Sequence, residues 1–231
     1  MATYDVFDGP RDDLELYVAI VEEVGATSVL DVGCGTGVLA RRLANDGLDV
    51  IAVEPARASL DVAQRGRGGE LVRWINGDAT SLPQLSVDVA TMTGNVAQVF
   101  LTVDAMAATF AGIHDALRPG GWLVFETRDP SRRAWERWNR EHTYTTADVP
   151  GVGHVTTWCD LISVEAPLVT FRWTNLFAAS GESLTSDSTL RFWERDEVTS
   201  LLAASGFDVI DVRDAPDRPG SEFVFVAEAR A

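Results

Sequence analysis

The sequence predicts an α/β fold: a mostly parallel sheet with helices on both faces, followed by a smaller antiparallel β region. Three observations carry this expectation. Short apolar runs alternate with helical patterns up to Glu126, the pattern of strands whose crossover helices cover both sheet faces. After Asp129 the hydrophobic period changes to two. The chain then closes on a helix and two further strand-like runs joined across Pro216–Gly220.

Asp12–Val24 sets Leu14, Tyr17, Val18 and Val21 at helical spacing, and Ser28–Val32 is the first strand. Val38–Asn45 reads as a helix that Gly47 ends, and Asp49–Val53 as the second strand. Ala56–Arg65 is the next helix and Leu71–Ile75 the third strand; Val87–Met92 is the fourth. A helix over Ala105–Leu117 leads to the fifth strand, Trp122–Glu126. Arg132–Glu141 then predicts a short charged helix. Gly153–Val164, Leu168–Phe177 and Ser183–Phe192 alternate apolar and polar residues between turn signals, which predicts a three-stranded meander. Arg195–Ser205 is a helix stopped by Gly206, and Phe207–Val212 with Glu222–Ala229 forms a terminal hairpin that brings the main sheet to seven strands. The division expected is a core over residues 1–129, an inserted helix and antiparallel cap over 130–193, and closing core elements over 194–231.

Composition narrows the function. The chain has 231 residues and a net charge of −16, which repels a phosphate backbone or an acidic membrane surface, so neither nucleic acid nor membrane is an expected partner. All 19 basic residues are arginine, which excludes Schiff-base chemistry and the lysine of a phosphate-binding P-loop. Met1–Asp13 has no apolar stretch of leader length, and two cysteines are too few for a disulfide framework; a cytoplasmic protein, monomer or homodimer, is expected. No His, Cys and Asp spacing resembles a metal site.

The strongest local signal is Asp31-Val32-Gly33-Cys34-Gly35-Thr36-Gly37, a buried strand running into alternate glycines and then a helix. Such a turn lets a ligand lie against the backbone with the next helix's N-terminus aimed at it. A dinucleotide fingerprint would want its third glycine one residue later, where Val38 stands. Glu54 ends the second strand, where a carboxylate can accept both hydroxyls of a ribose, and Asp78 follows the third, where it can accept from an exocyclic amine.

These residues resemble the class I S-adenosylmethionine-dependent methyltransferases of the small-molecule type, over Ser28–Glu126 plus the closing helix and hairpin. The resemblance implies a Rossmann-like sheet and S-adenosylmethionine as cofactor. It implies that Asp31, Gly33, Cys34, Gly35 and Gly37 contact the methionine part, Glu54 with Pro55 the ribose, and Asp78 with Ala79 the adenine. Thr93, Gly94 and Asn95 would lie under the methionine portion. Leu117-Arg118-Pro119-Gly120-Gly121 resembles the family's turn before strand five.

The acceptor side is more open. Methyl transfer from a sulfonium needs orientation more than a base, but a hydroxyl acceptor would want one. His142 and His154 are candidates for that base or are solvated cap residues, while His114 reads as a surface helix residue. Glu126 and Arg128 follow the fifth strand and border the acceptor cleft; Arg128 could hold an acceptor carboxylate or serve a structural ion pair. The aromatic residues of the meander are core or pocket lining. A nicotinamide-dependent oxidoreductase and a cofactor-binding protein without turnover remain as alternatives.

Overall fold

The computed structural model describes residues 4–7, 9 and 11–230. Met1–Thr3, Asp8 and Pro10, on which the expectation about a leader partly rests, lie outside the described residues. After a short helix α1 (Tyr4–Phe7) and a 3-10 turn at Asp12–Leu14, the chain forms α2 (Glu15–Glu23), β1 (Ser28–Val32), α3 (Val38–Asn45), β2 (Asp49–Glu54), α4 (Arg57–Arg65), β3 (Val72–Asn76) and β4 (Val87–Met92). It continues through α5 (Val103–Ala116), β5 (Leu117–Arg128), α6 (Arg140–Thr143), β6 (Thr145–Val149), β7 (Gly153–Glu165), β8 (Leu168–Phe177), β9 (Ser183–Arg191), α7 (Arg195–Ala204), β10 (Phe207–Arg213) and β11 (Glu222–Ala229).

A seven-stranded sheet runs in the order β10-β11-β5-β4-β1-β2-β3, parallel from β5 to β3, with β11 antiparallel to both β5 and β10. This is the Rossmann-like arrangement expected. Neighbouring residues of one strand feed opposite faces. Val29, Val50, Val89 and Val124 pack under α2 and α3, whereas Leu30, Ile51, Ala90 and Phe125 pack against α5 and α7 with Phe110, Ile113 and Leu202. Burial on both faces is why these strands read as apolar runs and not as alternating ones.

Two expectations are corrected. Arg132–Glu141 is not one helix: 3-10 turns at Pro130–Arg132 and Ala134–Arg137 flank Arg133 in the left-handed region, and α6 begins only at Arg140. Trp135 and Trp138 pack edge-on against Phe192 and Phe171 there, and that tertiary packing overrides helical propensity. The cap sheet has four strands, β6-β7-β8-β9, because Thr145–Val149 pairs with Gly153–Thr157. Gln98 Nε2 donates to Arg191 O at 3.1 Å and Trp193 Nε1 to Ala97 O at 3.1 Å, tying the cap's exit to the turn after β4. The cap is thereby held at the carboxyl ends of the parallel strands, where open α/β sheets bind ligands.

Candidate active site

Gly33, Gly35 and Gly37 all have positive φ, at 69°, 56° and 74°, but they do different work. A Cβ on Gly37 would stand 2.4 Å from Trp74 Cη2 and 2.9 Å from Ala63 Cβ, so this glycine lets α3 close onto β3 and α4. A Cβ on Gly33 would meet both methyls of Val96 at 2.8 Å. Gly35 alone would meet nothing within 4 Å, leaving its backbone open to a ligand. Asp31 is buried in β1 and accepts from Thr91 Oγ1 at 3.1 Å; burial pushes its carboxyl up to about 7. The Cys34 thiol is also pushed up by burial, which keeps it protonated and inert.

A cavity of about 510 Å³ opens against this loop. Asp31, Gly33, Cys34, Gly35 and Thr36 line one side, and Thr93, Gly94, Asn95, Val96 and Arg128 another. Arg11–Leu14 and Asp217–Arg218 complete it, two segments that carry no motif and whose only sequence signal is a dense run of charge. Gly37, Glu54, Pro55, Asp78 and Ala79 lie outside this lining. Glu54 Oε2 accepts from Gly35 N at 3.0 Å and Oε1 from Ala56 N at 2.8 Å, so the carboxylate braces the loop while each oxygen keeps a further lone pair. Asp78 Oδ1 accepts from Thr80 N and Oγ1; the Thr80 hydroxyl is the main reason its carboxyl titrates below the usual range. Asp78 is exposed, and its Oδ2 takes no part in these bonds. An open glycine backbone, two acids with spare acceptor capacity and a cavity of ordinary ligand size fit an adenosyl donor.

Behind the cavity lies a buried polar network. Tyr17 donates to Glu126 Oε2 at 2.5 Å, and the backbone N–H of Asn95 donates to Glu126 Oε1. Burial raises both groups, Glu126 to about 7 and Tyr17 well above an ordinary phenol. Asn95 sits at φ 61°, and its Nδ2 donates to Glu222 Oε1 at 3.1 Å. Because a carboxylate only accepts, this bond fixes which end of the amide is oxygen. Asn95 Oδ1 is buried and has no hydrogen-bond partner among the described residues.

A second cavity, about 460 Å³, lies between the turn after β4 and the cap strands β8 and β9, and it shares Gly94, Asn95 and Arg128 with the first. Of the candidate acceptor-side residues, Arg128 lines both cavities. Glu126, 2% exposed, faces a void of about 10 Å³ with Tyr17 and Glu222. His142 and His154 are exposed, hydrogen-bond to Asn139 at 2.9 Å and Asp148 at 3.1 Å, and line neither cavity. His114 is half-buried, edge-on to Phe207 and bonded to Arg230 O, so it packs the closing hairpin against α5. Among the described residues no His, Cys, Asp and Glu group could hold a metal ion, and no helix is long and apolar enough to cross a membrane.

A family model described as a methyltransferase domain matches residues 29–121. An uncharacterized methyltransferase of Mycobacterium tuberculosis is 34% identical over 194 residues, covering 77% of this chain and 74% of that protein. The cypemycin N-terminal methyltransferase of a Streptomyces species is 33% identical over 123 residues, covering 53% of this chain and 50% of that protein. Against that relative and one from Oceanobacillus iheyensis, the chain spans about half of the curated protein's length. Among solved structures, an S-adenosylmethionine-dependent methyltransferase from Clostridium acetobutylicum superposes with a TM-score of 0.80 at 14% identity, covering 99% of this chain and 96% of that one. A sugar N-methyltransferase from a Streptoalloteichus species gives 0.77 at 22% identity, covering 99% and 93%. At such identities the structures bear on the fold alone.

Proposed function

The chain belongs to the S-adenosylmethionine-dependent methyltransferase family, and on that premise we propose that it transfers a methyl group to an N or O centre of a small-molecule acceptor. The observation that carries this reading is the pair of cavities sharing Gly94, Asn95 and Arg128, one against the glycine loop and one under the cap. When bound, S-adenosylmethionine supplies a methyl group already activated on sulfur, so the chain's own residues have only to orient the partners and exclude water.

In this reading the loop from Asp31 to Gly37 and the turn Thr93–Asn95 hold the methionine part, Glu54 with Pro55 the ribose, and Asp78 with Ala79 the adenine. Asn95, which lines both cavities with Gly94 and Arg128, positions the acceptor beside the methyl donor. Glu126 braces Asn95 from behind. The segment 130–193 serves as the acceptor cap on a core of 1–129 and 194–231. Two unpaired cysteines support a reducing, cytoplasmic setting.

The test is calorimetric titration with S-adenosylhomocysteine beside NADH, followed by labelled methyl transfer to a panel of amines and hydroxyl compounds. Saturable binding of the first alone, with transfer to a panel member, is expected. Binding of NADH instead would move the protein to the oxidoreductases; S-adenosylhomocysteine binding without transfer to any acceptor would make it a binding protein.

A further inference from the structure

The cavity under the cap separates its chemistry. Val99, Phe171 and Leu190 give it an apolar wall, and among the described residues Arg128 is the one charged residue in its lining. A guanidinium carries five N–H donors in a planar fork. Among the described residues the Arg128 side chain makes one hydrogen bond, from Nη1 to Gln98 Oε1 at 3.0 Å. Glu222 stands 3.9 Å from Nε, and that carboxylate is already held by Arg218 at 2.8 Å. The other arginines at the neighbouring cavity sit in close ion pairs at 2.8 Å, Arg11 with Asp13 and Arg218 with Glu222, whereas the pair of Arg128 with Glu222 is long, at 3.9 Å. Arg128 therefore differs from them: 23% exposed, fixed by Gln98 and by Trp138 5.7 Å from its Cζ, with fork donors left over beside an apolar wall.

We propose that the methyl acceptor carries a carboxylate, received by the Arg128 fork, on an apolar body that packs against Val99, Phe171 and Leu190. This rests on the methyltransferase reading and names the acceptor class for the same site. A planar two-oxygen anion matches the fork in shape, and its single charge matches one guanidinium. A phosphate dianion would bring two charges to the single guanidinium of this lining. Trp138, which also packs edge-on to Phe171 at 4.6 Å, joins the charged and apolar halves of the site.

The carboxylate of the cofactor's own methionine part is the other source of the same chemistry, so the experiment separates the two. With S-adenosylhomocysteine saturating, benzoate and 3-phenylpropanoate are titrated calorimetrically beside their uncharged amides into the wild type, Arg128→Gln and Arg128→Lys. Wild type is expected to prefer each acid over its amide by about tenfold or more, the range for a charge-assisted hydrogen bond, and Arg128→Gln to abolish the preference. Arg128→Lys keeps the charge and retains part of it, which keeps the test decisive if the glutamine variant does not fold. Equal binding of acid and amide by wild type overturns the proposal, as does an unchanged preference in Arg128→Gln. A tenfold loss of S-adenosylhomocysteine affinity in Arg128→Gln, with 5′-methylthioadenosine unaffected, assigns the fork to the cofactor and overturns it too. Failure of wild type to bind S-adenosylhomocysteine would instead strike the methyltransferase reading itself.

Discussion

Gly37→Ala is expected to damage the fold, whereas Gly35→Ala spares the fold and damages ligand binding, although both stand in one loop. Each residue occupies the left-handed region, at φ 74° and 56°, which costs a side-chain-bearing residue about 1–2 kcal/mol. At Gly35 the added methyl meets nothing within 4 Å. Strain is then the whole cost there, and the stiffer unfolded chain returns about 0.4–1 kcal/mol of it. At Gly37 the methyl would stand 2.4 Å from Trp74 Cη2, and such overpacking adds about 1–3 kcal/mol. The totals are about 3 kcal/mol for Gly37→Ala and about 1 kcal/mol or less for Gly35→Ala. For a chain of this size these correspond to melting about 10 °C lower in the first case and within about 3 °C of wild type in the second. Thermal unfolding by circular dichroism measures the fold, and calorimetric titration with S-adenosylhomocysteine measures the site. Because Gly35 lines the cavity, its methyl intrudes on the ligand, and affinity should fall about tenfold or more. Wild-type melting of Gly37→Ala would mean that Trp74 yields without cost, and unchanged affinity of Gly35→Ala would mean that the loop backbone does not face the ligand; either result refutes the division of labour among the glycines.

Further expectations concern single side chains. Glu54→Ala should weaken S-adenosylhomocysteine binding by about 1–3 kcal/mol, because it removes a ribose acceptor and leaves the Gly35 and Ala56 N–H groups unpaired; equal calorimetric affinity would remove the ribose assignment. Glu126 titrates near 7 in the fold against 4.5 ordinarily, so its contribution to stability is full below about 4.5 and is lost as pH rises through about 7. Glu126→Gln should therefore be the more stable protein at pH 8, by up to about 3 kcal/mol in urea unfolding, while Asp31, also raised by burial, keeps part of the slope. A variant less stable than wild type at every pH would show that the hydrogen bonds of Tyr17 and Asn95 outweigh the buried charge. His142→Ala and His154→Ala should leave the pH profile of methyl transfer unchanged between about pH 6 and 9, since neither ring lines a cavity; a lost pH limb in either would restore that histidine as a base.

The parallel half of the fold was legible because its signals are local. Val38–Asn45 carries its own apolar stripe and stop, and Val87–Met92 is a buried run between polar turns, and both elements keep those bounds in the structure. Where the signal is weak, tertiary contacts decide. Thr145–Val149 is short and half polar, and becomes a strand only because β7 offers it a ladder. Arg132–Glu141 has helical composition, yet the indoles of Trp135 and Trp138 find Phe192 and Phe171 and the backbone follows them.

By itself the sequence determined the strand order's raw material, the glycine loop and the acids at the ends of β2 and β3, since each depends on residues contiguous in the chain. Tertiary structure decided which distant groups meet: Tyr17 with Glu126, Asn95 with Glu222, and Arg11–Leu14 with Asp217–Arg218 around one cavity. It also decided that Arg128 joins the two cavities while His142 and His154 stand apart from both. The physical reason is that turn chemistry and hydrophobic period act over a few residues, whereas a site between a sheet edge and its cap is made by packing segments up to a hundred or more residues apart, as the 109-residue separation of Tyr17 and Glu126 illustrates.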